Sequence, residues 1–165
     1  MPDGKMKLTL RALVEGGVDC ILVGAVAAAL EGAIIDTLDI DVVHSREPAN
    51  VERLLTVLRT LDAIFRIQPE RRLRPDMSHV AGLGHLNLIT RYGLLDVPGT
   101  IGRGRGYEDL LPHTREIDIG GGLGVRVLDL ETLIAVKEEV GGEKDRAVLP
   151  ILRATLEEKR KLERR

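Results

Sequence analysis

The segment Thr37-Leu38-Asp39-Ile40-Asp41-Val42-Val43 sets two acids one residue apart inside an apolar run. An extended strand turns alternate side chains to the same face. Asp39 and Asp41 therefore point one way, with Leu38, Ile40 and Val42 on the other face. Two carboxylates a few ångströms apart repel, and one takes up a proton unless a cation sits between them. Hard oxygen ligands of this kind suit Mg²⁺. The plainer reading is a solvated strand terminus, and the upstream segment bears on the choice.

Upstream, Cys20-Ile21-Leu22-Val23 is a short apolar run ending at Gly24, which reads as a buried strand. Ala25 to Glu31 is rich in strong helix formers, and Gly32 ends it. Gly24-Ala25 thus lies where a strand feeds a helix N-terminus. Backbone N–H groups there favour phosphate, and glycine permits close approach. A phosphate cradle followed by an acid pair suits a nucleoside triphosphate with Mg²⁺.

On these residues the chain resembles the DNA polymerase beta-like nucleotidyltransferase superfamily. Its signature is a hydrophobic residue, Gly, then Gly or Ser, a spacer, and Asp-hydrophobic-Asp/Glu-hydrophobic. Here it reads Val23-Gly24-Ala25, then Asp39-Ile40-Asp41-Val42, with a long spacer. A third acid is expected on a neighbouring strand, and Asp96 in Gly93-Leu94-Leu95-Asp96-Val97-Pro98 fits. The likeness extends over most of the chain. It is nearest to small bacterial members, including AbiE-type toxins of toxin–antitoxin pairs and minimal nucleotidyltransferases.

The resemblance implies an α/β (α+β) fold: a nucleotidyltransferase-like mixed β-sheet flanked by helices, with further helices at the C-terminus. It implies two Mg²⁺ ions at Asp39, Asp41 and Asp96, with Asp96 also able to serve as general base. Gly24, Ala25 and Lys137 would contact the nucleotide. The acceptor would be RNA, a protein or a small hydroxylated molecule, and an antitoxin-like partner is a further expectation. The chain departs from the pattern at Ala25, which lacks a serine hydroxyl, and at Asp36, which adds negative charge before the acid pair. The plain reading of Asp36 is a turn residue.

Composition agrees with one domain over residues 1–165, its helical C-terminal portion starting near 129. Hydrophobic residues are 44% of the chain, which argues against disorder. The net charge of −2 excludes a strongly basic nucleic-acid binder. Phe65, Tyr92 and Tyr107 are the whole aromatic set, too few for a base-stacking platform. Cys20 stands alone, so no internal disulfide forms, and its apolar strand implies a buried thiol. No apolar run reaches membrane-spanning length and no signal-peptide core follows Met1, so the expected location is the cytoplasm. Oligomeric state is left open.

Periodicity places a first helix at Lys7 to Glu15 and a second opening at Pro48. Ala63 to Ile67 reads as a strand and Gln68 to Met77 as a polar, Arg-rich connection. Two hairpins follow: His85 to Thr90 with Leu94 to Val97, and Arg115 to Ile119 with Val125 to Leu128. Asp129 caps a helix to about Val140. Glu143 onward is helical, kinked or split by Pro150, with a fraying tail from Glu157.

Several residues carry two readings. Gly102-Arg103-Gly104-Arg105-Gly106 is a triphosphate-wrapping loop or a flexible surface loop. Tyr107 stacks on a base or is partly buried. Lys137 faces the nucleotide or snorkels beside Glu138 and Glu139. Lys144-Asp145 repeats a family pattern or caps the last helix. The four histidines lack metal-ligand spacing, and His44 reads as a partly exposed strand-end residue. The activity this implies is metal-dependent transfer of a nucleoside monophosphate to a hydroxyl, with release of pyrophosphate. The alternative is a catalytically weak binding module of the same fold acting through a partner protein.

Overall fold

A computed structural model describes residues 2–165. The alternating run becomes β2 (Asp39–His44), the middle strand of a mixed sheet. The others are β1 (Cys20–Val23), β3 (Ile64–Phe65), β4 (Leu86–Thr90), β5 (Gly93–Val97), β6 (Thr114–Asp118) and β7 (Gly124–Leu128). Their order is β3-β4-β5-β2-β1-β7-β6. β2 runs antiparallel to β1 and parallel to β5, and β1 runs parallel to β7. The hairpins β4–β5 and β6–β7 extend the sheet on either side.

The strand alternation holds where it matters. Ile40 and Val42 are fully buried, while Asp39 and Asp41 are partly accessible. Leu38 was expected to share the apolar face. It precedes the strand and is 80% exposed, because pairing with β5 begins only at Asp39.

Helices α1 (Gly4–Glu15), α2 (Gly24–Leu30) and α3 (Pro48–Thr60) lie in the first part of the chain. Short α4 (Met77–Ala81) and α5 (Tyr107–Leu110) follow, then α6 (Leu130–Val140) and α7 (Glu143–Glu163). The Asp3 side chain accepts from the Met6 amide at 2.8 Å and caps α1; Asp129 caps α6 through the Thr132 amide at 2.7 Å. Gly141, at φ +66°, closes α6 in the left-handed region. Leu54 and Leu58 of α3 join Val42, Leu88, Leu95 and Leu128 in the core. Burying each such leucine contributes about 1.5–3 kcal/mol.

The structure corrects several expectations. β3 is only Ile64–Phe65, because the chain leaves the sheet edge at Arg66. The Arg-rich connection holds a 3₁₀ turn at Pro69–Arg71 and runs into α4, whose cap is Asp76 accepting from the His79 amide at 3.1 Å. Pro150 does not split α7, which continues to Glu163. The charged tail is held as helix by ion pairs: Lys159 binds Glu31, and Arg160 binds Glu131 at 2.5 Å. His44 is buried rather than partly exposed, and its Nε2–H donates to the Val80 carbonyl at 2.7 Å, joining β2 to α4. Burial lowers its pKa, so it is neutral at physiological pH. Among the described residues, no helix is long and apolar enough to cross a membrane.

Candidate active site

Parallel pairing sets Asp39 opposite Leu94 and Asp41 opposite Asp96. Residues paired across adjacent strands share a face, so the two acids of β2 and the acid of β5 lie together. Asp96 is 8% exposed, an unusual burial for a carboxylate. Asp41 is pushed up to about 7, first by burial, then by the charges of Asp96 and Asp39, and further by its carboxyl contact with Asp96, which pulls Asp96 the other way. Asp96 is also raised, chiefly by burial, while the Arg66 guanidinium pulls the other way. Two carboxyls that cannot both ionise freely share a proton.

Gly24 borders this pair. It has φ +68°, and a Cβ there would collide with the Asp41 carboxylate. The backbone at the β1–α2 junction can therefore approach the acids only as glycine. Among the described residues no side chain caps α2, because its N-cap is Val23. Ala25 follows within the first turn, its amide facing no side-chain acceptor of the cap type.

A cleft of about 530 Å³ opens at this point. Gly24, Asp41 and His85 line it together with Ile101, Gly102 and Lys137. Lys137 thus reaches the cleft, where its Nζ pairs with Asp145 at 3.2 Å and its charge acts on Asp41. Lys144 is exposed outside the lining. Asp36 lies away from the cleft, in a separate recess beside Asp3 and Met6. Tyr107 and Cys20 lie at the opposite end of β1, in a recess of about 280 Å³. The Cys20 thiol is pushed up to about 12 by burial and by Asp19, so it is no nucleophile at neutral pH.

The Gly-Arg loop is built rather than loose. Ile101 and Arg105 bridge each other by backbone hydrogen bonds of 2.9 and 2.8 Å. The Glu139 carboxylate of α6 accepts from the Arg103 amide at 3.1 Å and pairs with the Arg105 guanidinium. Gly102, at φ +59°, has no room for a Cβ against Glu139. The loop therefore forms one wall of the cleft and α6 the other.

Two site residues were not anticipated from sequence. Arg66 places Nη2 2.8 Å from Asp96 Oδ1. The hint was an arginine inside the apolar run Ile64-Phe65-Arg66-Ile67, where a charge needs a partner. Glu139 had no local signal, since its partners are more than thirty residues away.

The donor set fits a hard divalent cation in its chemistry: only carboxylate oxygens, on one face, with Asp41 raised first by burial and then by the neighbouring charges of Asp96 and Asp39. As they stand, the acids are not drawn into a ligand cluster; among the described residues no group of three His, Cys, Asp or Glu side chains is set to hold an ion. Asp41 faces Asp96, and Asp96 faces Arg66.

No protein-family model matches the chain, and no curated protein matches it. Among solved structures, the chain is similar to the crystal structure of a "putative nucleotidyltransferase" from Thermotoga maritima. The TM-score is 0.55 at 18% identity, over 92% of this chain and 90% of that one. The fold is nucleotidyltransferase-like. Its mixed sheet flanked by helices agrees with the α/β architecture expected from the sequence. Asp41 of β2, the β1–α2 junction and Pro98 just after β5 border the cleft, while Asp39 and Asp96 lie outside its lining.

Proposed function

We propose that this protein is a metal-dependent nucleotidyltransferase that moves a nucleoside monophosphate from a nucleoside triphosphate to a hydroxyl acceptor. The observation that carries the reading is the registered Asp41–Asp96 pair, with Asp39 on the same face and the glycine junction against it. Asp39, Asp41 and Asp96 would hold Mg²⁺, two ions by resemblance. Bound there, the metal supplies charge neutralisation at the triphosphate and at the attacking oxygen.

The chain's own groups have distinct tasks. The Gly24 and Ala25 amides donate to phosphate oxygens at the open helix end. Lys137, on the α6 wall, offers positive charge to the triphosphate once it leaves Asp145. Asp96 accepts the proton of the acceptor hydroxyl as its oxygen bonds to the α-phosphorus. The bond from that phosphorus to the pyrophosphate oxygen breaks, and pyrophosphate leaves with the electron pair. Ile101, Leu133, Val136 and Val140 give the cleft an apolar side that excludes water from the base.

The acceptor classes are RNA, protein or a small hydroxylated molecule, and the cytoplasm is the proposed location. A second reading is a weakly catalytic module working through a partner protein, as in a toxin–antitoxin pair. It is favoured by Ile34 and Leu38, which are 93% and 80% exposed immediately before the acid strand.

Calorimetric titration of ATP, GTP, CTP and UTP, with and without Mg²⁺, separates the two. The enzyme reading requires Mg²⁺-dependent binding by the wild type and its loss in Asp39→Ala/Asp41→Ala. A folded wild type that binds no triphosphate sinks that reading and leaves the partner-dependent module.

A further inference from the structure

We propose that Arg66 is a built-in cation for Asp96, which a divalent ion must displace in order to bind. This rests on the metal-site reading above and deepens it.

The placement follows from register. Asp41 pairs with Asp96, Asp96 with Asn87, and the Arg66 amide donates to the Asn87 carbonyl at 2.9 Å. Arg66, just past the end of β3, therefore closes a row of residues that crosses β2, β5 and β4 at the level of the site. From the sheet edge its guanidinium passes Asn87 and meets Asp96 Oδ1 at 2.8 Å. A weaker contact to the Leu88 carbonyl measures 3.4 Å.

The seat is incomplete. Arg66 Nε is buried and, among the described residues, has no hydrogen-bond partner. A buried donor without an acceptor is costly. The side chain is 33% exposed, against 12% for Asp96, so the arginine can reach water while the acid stays in place. Neighbouring arginines are already committed: Arg72 and Arg74 both bind Asp62.

Electrostatics then makes the two cations alternatives. Without a metal, the guanidinium offsets the charge of Asp96, which faces Asp41 across the β2–β5 pairing. A divalent ion at the same oxygens offsets it more fully and repels a guanidinium that stays within hydrogen-bonding distance. Oδ1 cannot serve both at full strength. Arg66 thus holds Asp96 in place when no ion is bound and lowers the affinity of the acids for the ion. It acts on the metal through Asp96, as a positioning residue.

The test measures Mn²⁺ binding by electron paramagnetic resonance, without nucleotide or turnover. The proteins are wild type, Arg66→Met, Arg66→Lys and the double variant Arg66→Met/Asp96→Asn, each with its melting temperature recorded. Arg66→Met keeps the apolar stem and removes the charge. It should bind Mn²⁺ about tenfold more tightly than wild type, the loss of one charge-assisted hydrogen bond as competitor. Its metal-free melting temperature should fall and recover with Mn²⁺. Arg66→Lys should stay within about twofold of wild type, and the gain should vanish in the double variant. If Arg66→Met does not fold, Arg66→Gln serves the same comparison. A folded charge-removing variant with unchanged or weaker Mn²⁺ affinity overturns the proposal, since a merely supporting arginine predicts that result. If the wild type and the charge-removing variants all fail to bind Mn²⁺, the metal-site reading itself is overturned and this inference falls with it.

Discussion

Asp41 is an acid whose surroundings favour its proton. Its folded pKa near 7 lies above the ordinary 3.8, so the unfolded chain ionises first as pH rises. The group's contribution to stability therefore falls as pH climbs from about 4 to about 7 and is flat above that. In metal-free protein, Asp41→Asn should raise stability by on the order of 2 kcal/mol at about pH 8, and by little at about pH 4. Chemical denaturation in chelator at the two pH values checks the sign. Gly24 makes the neighbouring demand on the backbone. Gly24→Ala should cost about 1–3 kcal/mol and weaken triphosphate binding, because positive φ and the Asp41 carboxylate both exclude a methyl group. Melting and nucleotide titration of that variant read the two effects separately. The acid pair and this glycine were legible in the sequence because period-two alternation and a strand–Gly–helix junction are local signals. The proton sharing was not, since it arises from Asp96, which reaches Asp41 only through β2–β5 pairing.

Among the elements, the loop at 101–105 and the helix α7 show how partners settle what local chemistry leaves open. A Gly-Arg-Gly-Arg-Gly stretch reads as a flexible surface loop or as a binding loop. The distant Glu139 carboxylate decides for a fixed wall. Glu139→Gln should leave the melting temperature within a few degrees, because both partners keep some contact with water and glutamine retains an acceptor for the loop. It should weaken nucleotide affinity roughly threefold to tenfold, as the loop loses its fixed position. Titration beside a melting curve tests that split. In α7, proline's missing N–H argued for a break at Pro150, yet packing of Leu149 and Leu152 into the core carries the helix through. Pro150→Ala should restore a backbone hydrogen bond to the Arg146 carbonyl and stabilise the protein by about 1 kcal/mol. Denaturant midpoints measure this directly. The hairpins were legible from their turns. α4 was missed although Asp76 and His79 stand at capping positions, because the run they cap is only five residues long.

For the molecule as a whole, most of the strand order was beyond sequence reading: nothing local tells β1 to pair with β7, and the neighbourhood of β2 and β5 was expected only from the resemblance, which put a third acid on a neighbouring strand. The same holds for Glu31. Its side chain is 1% exposed, and it binds Arg115 of β6 at 2.7 Å and Lys159 of α7. One carboxylate thus ties α2's end to the edge strand β6 and to the C-terminal helix. Glu31→Ala should destabilise the protein by about 2 kcal/mol, less than a fully buried pair would give because Arg115 and Lys159 keep access to water. Thermal unfolding with two probes, one on α7 and one on the sheet, should show α7 loosening first in that variant.

The Glu31–Lys159 pair also sets a clock on the making of this protein. The two residues lie 128 positions apart in the chain. At ribosomal speed, Glu31 emerges on the order of ten seconds before Lys159 is added. Arg115 follows Glu31 by 84 positions, so for most of that interval the carboxylate lacks both partners, and afterwards it lacks one until Lys159 arrives; burial of that region is resisted throughout. Final closure waits on the arrival of α7, so a stalled or shortened nascent chain would present an open, sticky intermediate to the cell's quality control.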